Sequence, residues 1–150
     1  MNLGRILCKS QSSPMENHNF IKKCNSPRCE ICDMLILSNT LKMENGKIHH
    51  IKHDMSCNSL FVIYYIKCQF CPLSYIGETD NFRSRVNLHK SNTKNEANRN
   101  LKVNKHIHFC SKNKFSITPI FKCKNDDYVY RKEMESVFIN SYCPSLNSNS

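Results

Sequence analysis

The sequence predicts an α+β domain: a small three-stranded antiparallel sheet flanked by helices, with a cysteine-rich, zinc-binding segment ahead of it. Three observations carry that prediction. Phe61-Val62-Ile63-Tyr64-Tyr65-Ile66 is an unbroken run of apolar, β-branched and aromatic residues, a composition that favours a strand. Two later stretches open on capping residues and place apolar side chains at helical spacing. Ten cysteines occur in a chain whose first residues, MNLGRILCKS, lack the apolar centre of a signal peptide, so metal ligation is favoured over disulfides.

Length and composition narrow the function classes. A chain of 150 residues, 39% hydrophobic and without Trp, fits one modest core that metal sites would help to hold. No stretch approaches the length of a membrane span, so no membrane partner is expected. Lys and Arg number 22 against 12 acidic residues, a net charge of +10 that attracts polyanions.

Along the chain, residues 1–20 are polar and read as a disordered lead-in. Residues 21–57 form a cysteine-rich module, in which Cys24, Cys29, Cys32 and Cys57 have the count and the tight CxxC knuckle of a tetrahedral zinc site. His49, His50 and His53 lie between them, and any of the three is an alternative to Cys57. Residues 58–147 form the main domain, and 148–150 a tail. Its first strand ends at Cys68-Gln69-Phe70-Cys71. Pro72 then breaks the ladder, and Ser74-Tyr75-Ile76-Gly77 begins a second strand, giving a hairpin that brings Tyr64 and Tyr75 onto one face.

Thr79 or Asp80 is expected to cap a helix over about Asn81 to Lys90, with Phe82 and Val86 inward. A second helix covers about Leu101 to Phe109. Phe115 to Cys123 alternates as a third strand, which Pro119 places at an edge or bulge. Asn125-Asp126-Asp127 caps the last helix, with Tyr130, Met134, Val137 and Phe138 as its apolar stripe, until Pro144. Between Arg83 and Lys105 the chain is at its most basic, and Arg83, Lys90, Lys94, Arg99, Lys102 and Lys105 are candidate phosphate contacts.

The two strands of the hairpin carry a resemblance. Val62-Ile63-Tyr64 and Tyr75-Ile76-Gly77 resemble the two triplets of the GIY-YIG nuclease signature, with Val62 where that family usually has glycine. The cysteine pair between the triplets, and Gly77-Glu78-Thr79 after them, resemble most the endonuclease domain of Penelope-like retroelements. At the other end, Glu135-x3-Ile139-x4-Pro144-x2-Asn147 is similar to the family's closing pattern.

The resemblance implies an endonuclease that hydrolyses DNA phosphodiesters with a divalent metal, nicking its substrate. An intracellular, nuclear setting and an origin in a mobile element go with it. It implies a role for each matching residue. Tyr64 is general base or water-positioning group, Tyr75 holds phosphate or water, and Arg85 clamps the phosphate with its fork of donors. His89 sits near the nucleophile. Glu135 is the carboxylate ligand of magnesium or manganese, a hard oxygen suited to a hard cation, and Asn147 lines the same pocket. Cys68 and Cys71 correspond to the cysteine half of a zinc site that two histidines complete; His106 and His108 are the candidates, with His89 weaker and Cys110 a substitute. No small-molecule substrate is implied. The alternative is a catalytically inactive, zinc-stabilised nucleic-acid-binding module, in which Tyr64 and Tyr75 are sheet aromatics and Glu135 pairs with Arg131.

Overall fold

The structure, a computed structural model, describes residues 18–98 and 101–147. Arg99, most of the lead-in and the tail fall outside them. Its elements in chain order are β1 (Ile21–Lys22), a 3-10 turn at Cys32–Met34, β2 (Thr40–Lys42), β3 (Ile48–His50), β4 (Met55–Ser56), β5 (Leu60–Cys68) and β6 (Ser74–Asn81). Helix α1 (Phe82–Lys94), α2 (Lys102–Ser111), β7 (Phe115–Lys122), α3 (Tyr128–Tyr142) and a 3-10 turn at Ser145–Asn147 follow.

The central sheet has the order β6-β5-β7, both pairings antiparallel, as the sequence predicts for an α+β fold. Strand β5 is buried from Val62 to Ile66 without a break, because both faces of the sheet are covered. Its register sets Tyr64 opposite Gly77 and Ile66 opposite Tyr75. Side-chain alternation therefore places Tyr64 and Tyr75 on the same face. On the edge strand β7 the register shifts between the partners of Ile63 and Tyr64, where Pro119 stands opposite Tyr64; a proline without N–H is tolerated at such an edge bulge.

The cysteine-rich segment does not stand apart from this sheet. Ile31, Leu35, Leu41, Met43, Ile51, Met55 and Cys57 share one hydrophobic core with β5 and β7. Ile36 N donates to Thr118 Oγ1 at 2.8 Å, and His49 bridges Ile120 O and Tyr142 Oη, each at 2.8 Å. Glu44 accepts from the backbone N–H and the hydroxyl of Ser74, and from the N–H and hydroxyl of Ser145. One carboxylate thus ties this segment to the start of β6 and to the C-terminal turn. Burial alone would raise the pKa of Glu44, but the bonds from Ser145 and Ser74 outweigh it and hold it below the usual value. Even His18 and Phe20 of the lead-in are tied down, His18 to Asp54 and the Phe20 N–H to Asn39 Oδ1.

Three local expectations are corrected. Helix α1 is capped by Asn81, whose side chain accepts from Ser84 N, because β6 continues through Thr79 and Asp80 to pair Asn81 with Leu60. The same helix runs on to Lys94, with Thr93 buried and its hydroxyl bonded back to Lys90 O. On α3, capped by Asp127, Tyr130 and Val137 are exposed. The inward positions are Arg131, Met134, Phe138 and Tyr142, with Arg131 only 4% exposed. Its partner is not Glu135: Arg131 Nε donates to Glu78 Oε1 at 2.8 Å and Nη1 to Asp126 Oδ1 at 3.0 Å, with the guanidinium over the rings of Phe61 and Tyr128.

Candidate active site

The site is built where the β5–β6 hairpin meets α1. Tyr64 points from β5 toward α1, and its ring is wholly buried. Its hydroxyl lies 2.9 Å from His89 Nε2, and the two ring centroids are 5.6 Å apart. Tyr75 completes the group from β6, 6.3 Å from the Tyr64 ring and 5.9 Å from that of His89. Three residues named from distant parts of the sequence thus form one aromatic cluster. The alternation of two paired strands and one helical turn suffices to assemble it.

Gly77 has a specific reason to lack a side chain. A Cβ there would lie 2.5 Å from Tyr64 Oη and 2.6 Å from Cζ. The phenol of β5 lies across the backbone of β6, and only glycine leaves it room.

Arg85, one turn before His89 on α1, donates to Glu78 O at 3.3 Å and stands close enough to Tyr64 and Tyr75 to act on both phenols. Glu135 reaches the same group from α3, partly buried, with Oε1 2.9 Å from Lys132 Nζ. The electrostatics follow from burial. Burial raises the pKa of Tyr64, and the neighbouring Tyr75 adds to it, while Arg85 opposes both. Burial likewise raises Tyr75, with Glu135 adding to it. His89 is pushed down to about 4 by burial, against the bond to Asn104, so it is neutral at physiological pH.

Asn147 is placed differently from the expectation. It does not present its amide to the aromatic group: Oδ1 accepts from Ile76 N at 2.8 Å, and Nδ2 donates to Ile76 O at 2.7 Å. Strand β6 is an edge, and Asn147 pairs its otherwise free backbone as a neighbouring strand would. It fixes the strand that carries Tyr75.

Two groups of potential metal ligands flank the site. The sulfurs of Cys24, Cys29, Cys32 and Cys57 all lie within 4.8 Å of one another, with Cys24–Cys32 at 3.7 Å and Cys32–Cys57 at 3.6 Å. These separations are too long for a disulfide and match the roughly 3.8 Å edge of a tetrahedron with Zn–S of about 2.3 Å. The second group is Cys68, Cys71, His106 and Cys110, with Cys71 Sγ 3.1 Å from His106 Nε2. His108 is not part of it. Two residues on from His106 it faces another side of α2, where Nδ1 meets Asn113 Oδ1 at 3.1 Å. Cys110, one full turn beyond His106, takes the fourth corner. Nor does His49, His50 or His53 join the first group, which Cys57 completes.

The basic residues do not form one track. Arg83 donates through Nη2 to Cys24 and Cys29, each at 3.5 Å, and through Nε to Asn58 Oδ1 at 2.8 Å. It serves the thiolate group and is not free for phosphate. Lys90 reaches Glu30 at 3.1 Å and, with Lys94, lines one hollow; Lys102 and Lys105 line another, beside Phe109 and Leu146.

Sequence reasoning missed Glu44, Asn104 and the Glu78–Arg131 pair. Asn104 carried a legible signal, an amide on the apolar stripe of Val103 and Ile107.

A paired-tyrosine hairpin, a helical arginine and histidine, and a carboxylate on the last helix thus meet on an α+β scaffold. The model of the GIY-YIG catalytic domain matches residues 60–147, more than half of the chain, and the chain belongs to that family. It is a nuclease of the GIY-YIG superfamily, and nucleic acid is its substrate class. No curated protein and no solved structure matches it.

Proposed function

We propose that this chain is a metal-dependent DNA endonuclease that nicks one strand, descended from a mobile element of the Penelope-like type. The observation that carries the reading is the meeting of Tyr64, Tyr75, Arg85, His89 and Glu135 on one face of the hairpin. The cysteine pair between the two triplets, with His106 and Cys110 beside it, supports the element-derived type. A DNA substrate of this kind is met in the nucleus.

The residues fit a divalent cation. Glu135 is a half-buried carboxylate whose Oε2 has no partner among the described residues, facing the phenols across a site with one arginine. A hard cation there would be held by Glu135 and would neutralise charge developing on the scissile phosphate. Arg85 would grip the phosphate with two donors. Tyr75 would orient the attacking water, and Tyr64 would take its proton. Zinc at the two cysteine groups would hold the cysteine-rich segment and α2 against the sheet.

A second reading rests on one observation: Tyr64 is 0% exposed and His89 3%. If nucleic acid does not open this face, the domain is a zinc-stabilised binding module. Incubation of the purified chain with supercoiled plasmid separates the two. The endonuclease reading expects open-circular DNA with magnesium or manganese and none with chelator. Salt-sensitive binding without nicking in any metal supports the module.

A further inference from the structure

We propose that Asn104 is a positioning residue of the centre, holding His89 in the one tautomer whose Nε2 receives the proton of Tyr64. The inference rests on the nuclease reading for its consequence, but its structural part stands alone. Asn104 is 1% exposed, on α2, and its Oδ1 lies 3.0 Å from His89 Nδ1. A carbonyl oxygen can only accept, so Nδ1 carries the hydrogen and Nε2 is left with a bare lone pair. The Tyr64 hydroxyl, 2.9 Å from Nε2, is then the donor.

Asn104 is an expensive way to fill space. Its Nδ2 is buried and has no hydrogen-bond partner among the described residues, a defect that leucine of similar size would not have. A residue kept only for packing would not carry an unpaired donor. One whose carbonyl is required would.

The step balances as follows. The attacking water gives its proton to Tyr64 Oη as the Tyr64 O–H proton passes to His89 Nε2. Hydroxide forms a bond to phosphorus as the bond from phosphorus to the leaving sugar oxygen breaks. That oxygen takes a proton from a solvent water, the phenol is restored, and an imidazolium is left, its Nδ1–H still bonded to Asn104, until its Nε2 proton passes to the hydroxide so formed. The charged and titratable groups facing His89 are Tyr64 from β5, Tyr75 from β6 and Arg85 from its own helix; α2 presents only the neutral amide. A neutral partner leaves the imidazole uncharged and able to accept at neutral pH.

The test combines a spectroscopic and a kinetic readout. Long-range proton–nitrogen spectra of the labelled, zinc-loaded full chain read the His89 tautomer without substrate. The parent is expected to show a protonated Nδ1 and a bare Nε2, and Asn104→Leu to lose that preference. Plasmid cleavage by the same variant is expected to fall by about 100-fold or more, the lower range for a positioned acid or base. Asn104→Asp is the isosteric arm should the leucine variant fail to fold. It retains the tautomer, but its charge stabilises the imidazolium, so the acid limb of the cleavage pH profile moves upward by about one unit or more. The same tautomer in Asn104→Leu as in the parent overturns the proposal, as does an acid limb that stays in place in Asn104→Asp. A parent that binds but does not nick defeats the nuclease reading instead, while the spectra still decide the role of Asn104.

Discussion

Gly77→Ala is the smallest change the structure predicts to be severe. The added Cβ would meet Tyr64 Oη at 2.5 Å, Cζ at 2.6 Å and Cε1 at 3.0 Å. Carbon contacts settle at about 3.5–4.0 Å, so the ring must retreat by roughly 1 Å. It has nowhere to go: Tyr64 is fully buried between Phe82, Tyr75 and His89. The retreat also stretches the 2.9 Å bond to His89. Overpacking costs about 1–3 kcal/mol, and a buried polar group left unpaired about the same, so about 2–6 kcal/mol is expected in all. For a chain of 150 residues, at about 2–4 °C per kcal/mol, that is a fall of roughly 4–24 °C in Tm. Gly46→Ala is the control, since at φ +90° nothing lies within 4 Å of its Cβ and only backbone strain of about 1–2 kcal/mol applies. Thermal and denaturant unfolding of both variants measures the difference. Tyr64→Phe removes the nearest atom, so the double variant should be less destabilised than the two single changes summed. A Gly77→Ala protein within 0.5 kcal/mol of the parent (about the scatter of neutral changes) would refute the placement of the phenol across β6.

Three further outcomes are expected. Protein purified without added metal should carry two zinc ions per chain by elemental analysis, and Cys32→Ser and Cys71→Ser should each remove one, in keeping with the two ligand groups. Glu44 has its pKa depressed in the fold, so its stabilisation is present above the unfolded value of about 4.5 and is lost as pH falls through the lower folded value. Glu44→Gln should therefore flatten the acid side of the stability profile, as followed by urea unfolding between about pH 5 and 3. Arg131→Met leaves Glu78, 12% exposed, without its partner, and should cost about 3–5 kcal/mol in denaturant unfolding.

The sheet, the three helices and the shared face of Tyr64 and Tyr75 were legible because period-two and period-3.6 patterns decide which side chains share a face, whereas the place of His89 beside them came from the family resemblance alone. Glu135 was singled out by the resemblance of its spacing to Pro144 and Asn147 to the family's closing pattern, and the fold sets it near Tyr75. What local pattern did not show was the choice among partners of similar chemistry. Arg131 has Glu135 one turn away, yet Glu78 of β6 and Asp126 hold it, because α3 turns the guanidinium onto the sheet. His106 and His108 look equivalent in sequence, but only one faces Cys71. Asn147 carries the family's amide, and the edge of β6 takes both of its hydrogen bonds. Arg83 reads as a phosphate contact until the thiolates of Cys24 and Cys29 are found beside it. In each case tertiary packing brought in a residue from a distant element, beyond what spacing along one helix or strand encodes.

The central claim is that this constellation cleaves nucleic acid with a metal held by Glu135. The most direct measurement is the rate of supercoiled plasmid nicking by Glu135→Gln in magnesium, against the parent, with DNA affinity and Tm measured alongside. The glutamine retains size and hydrogen bonding but lacks the charge that, in the proposed site, would hold a divalent cation. The expected result is a fall of about two orders of magnitude or more in nicking, with affinity and Tm within error of the parent. Nicking at the parent rate would contradict the claim.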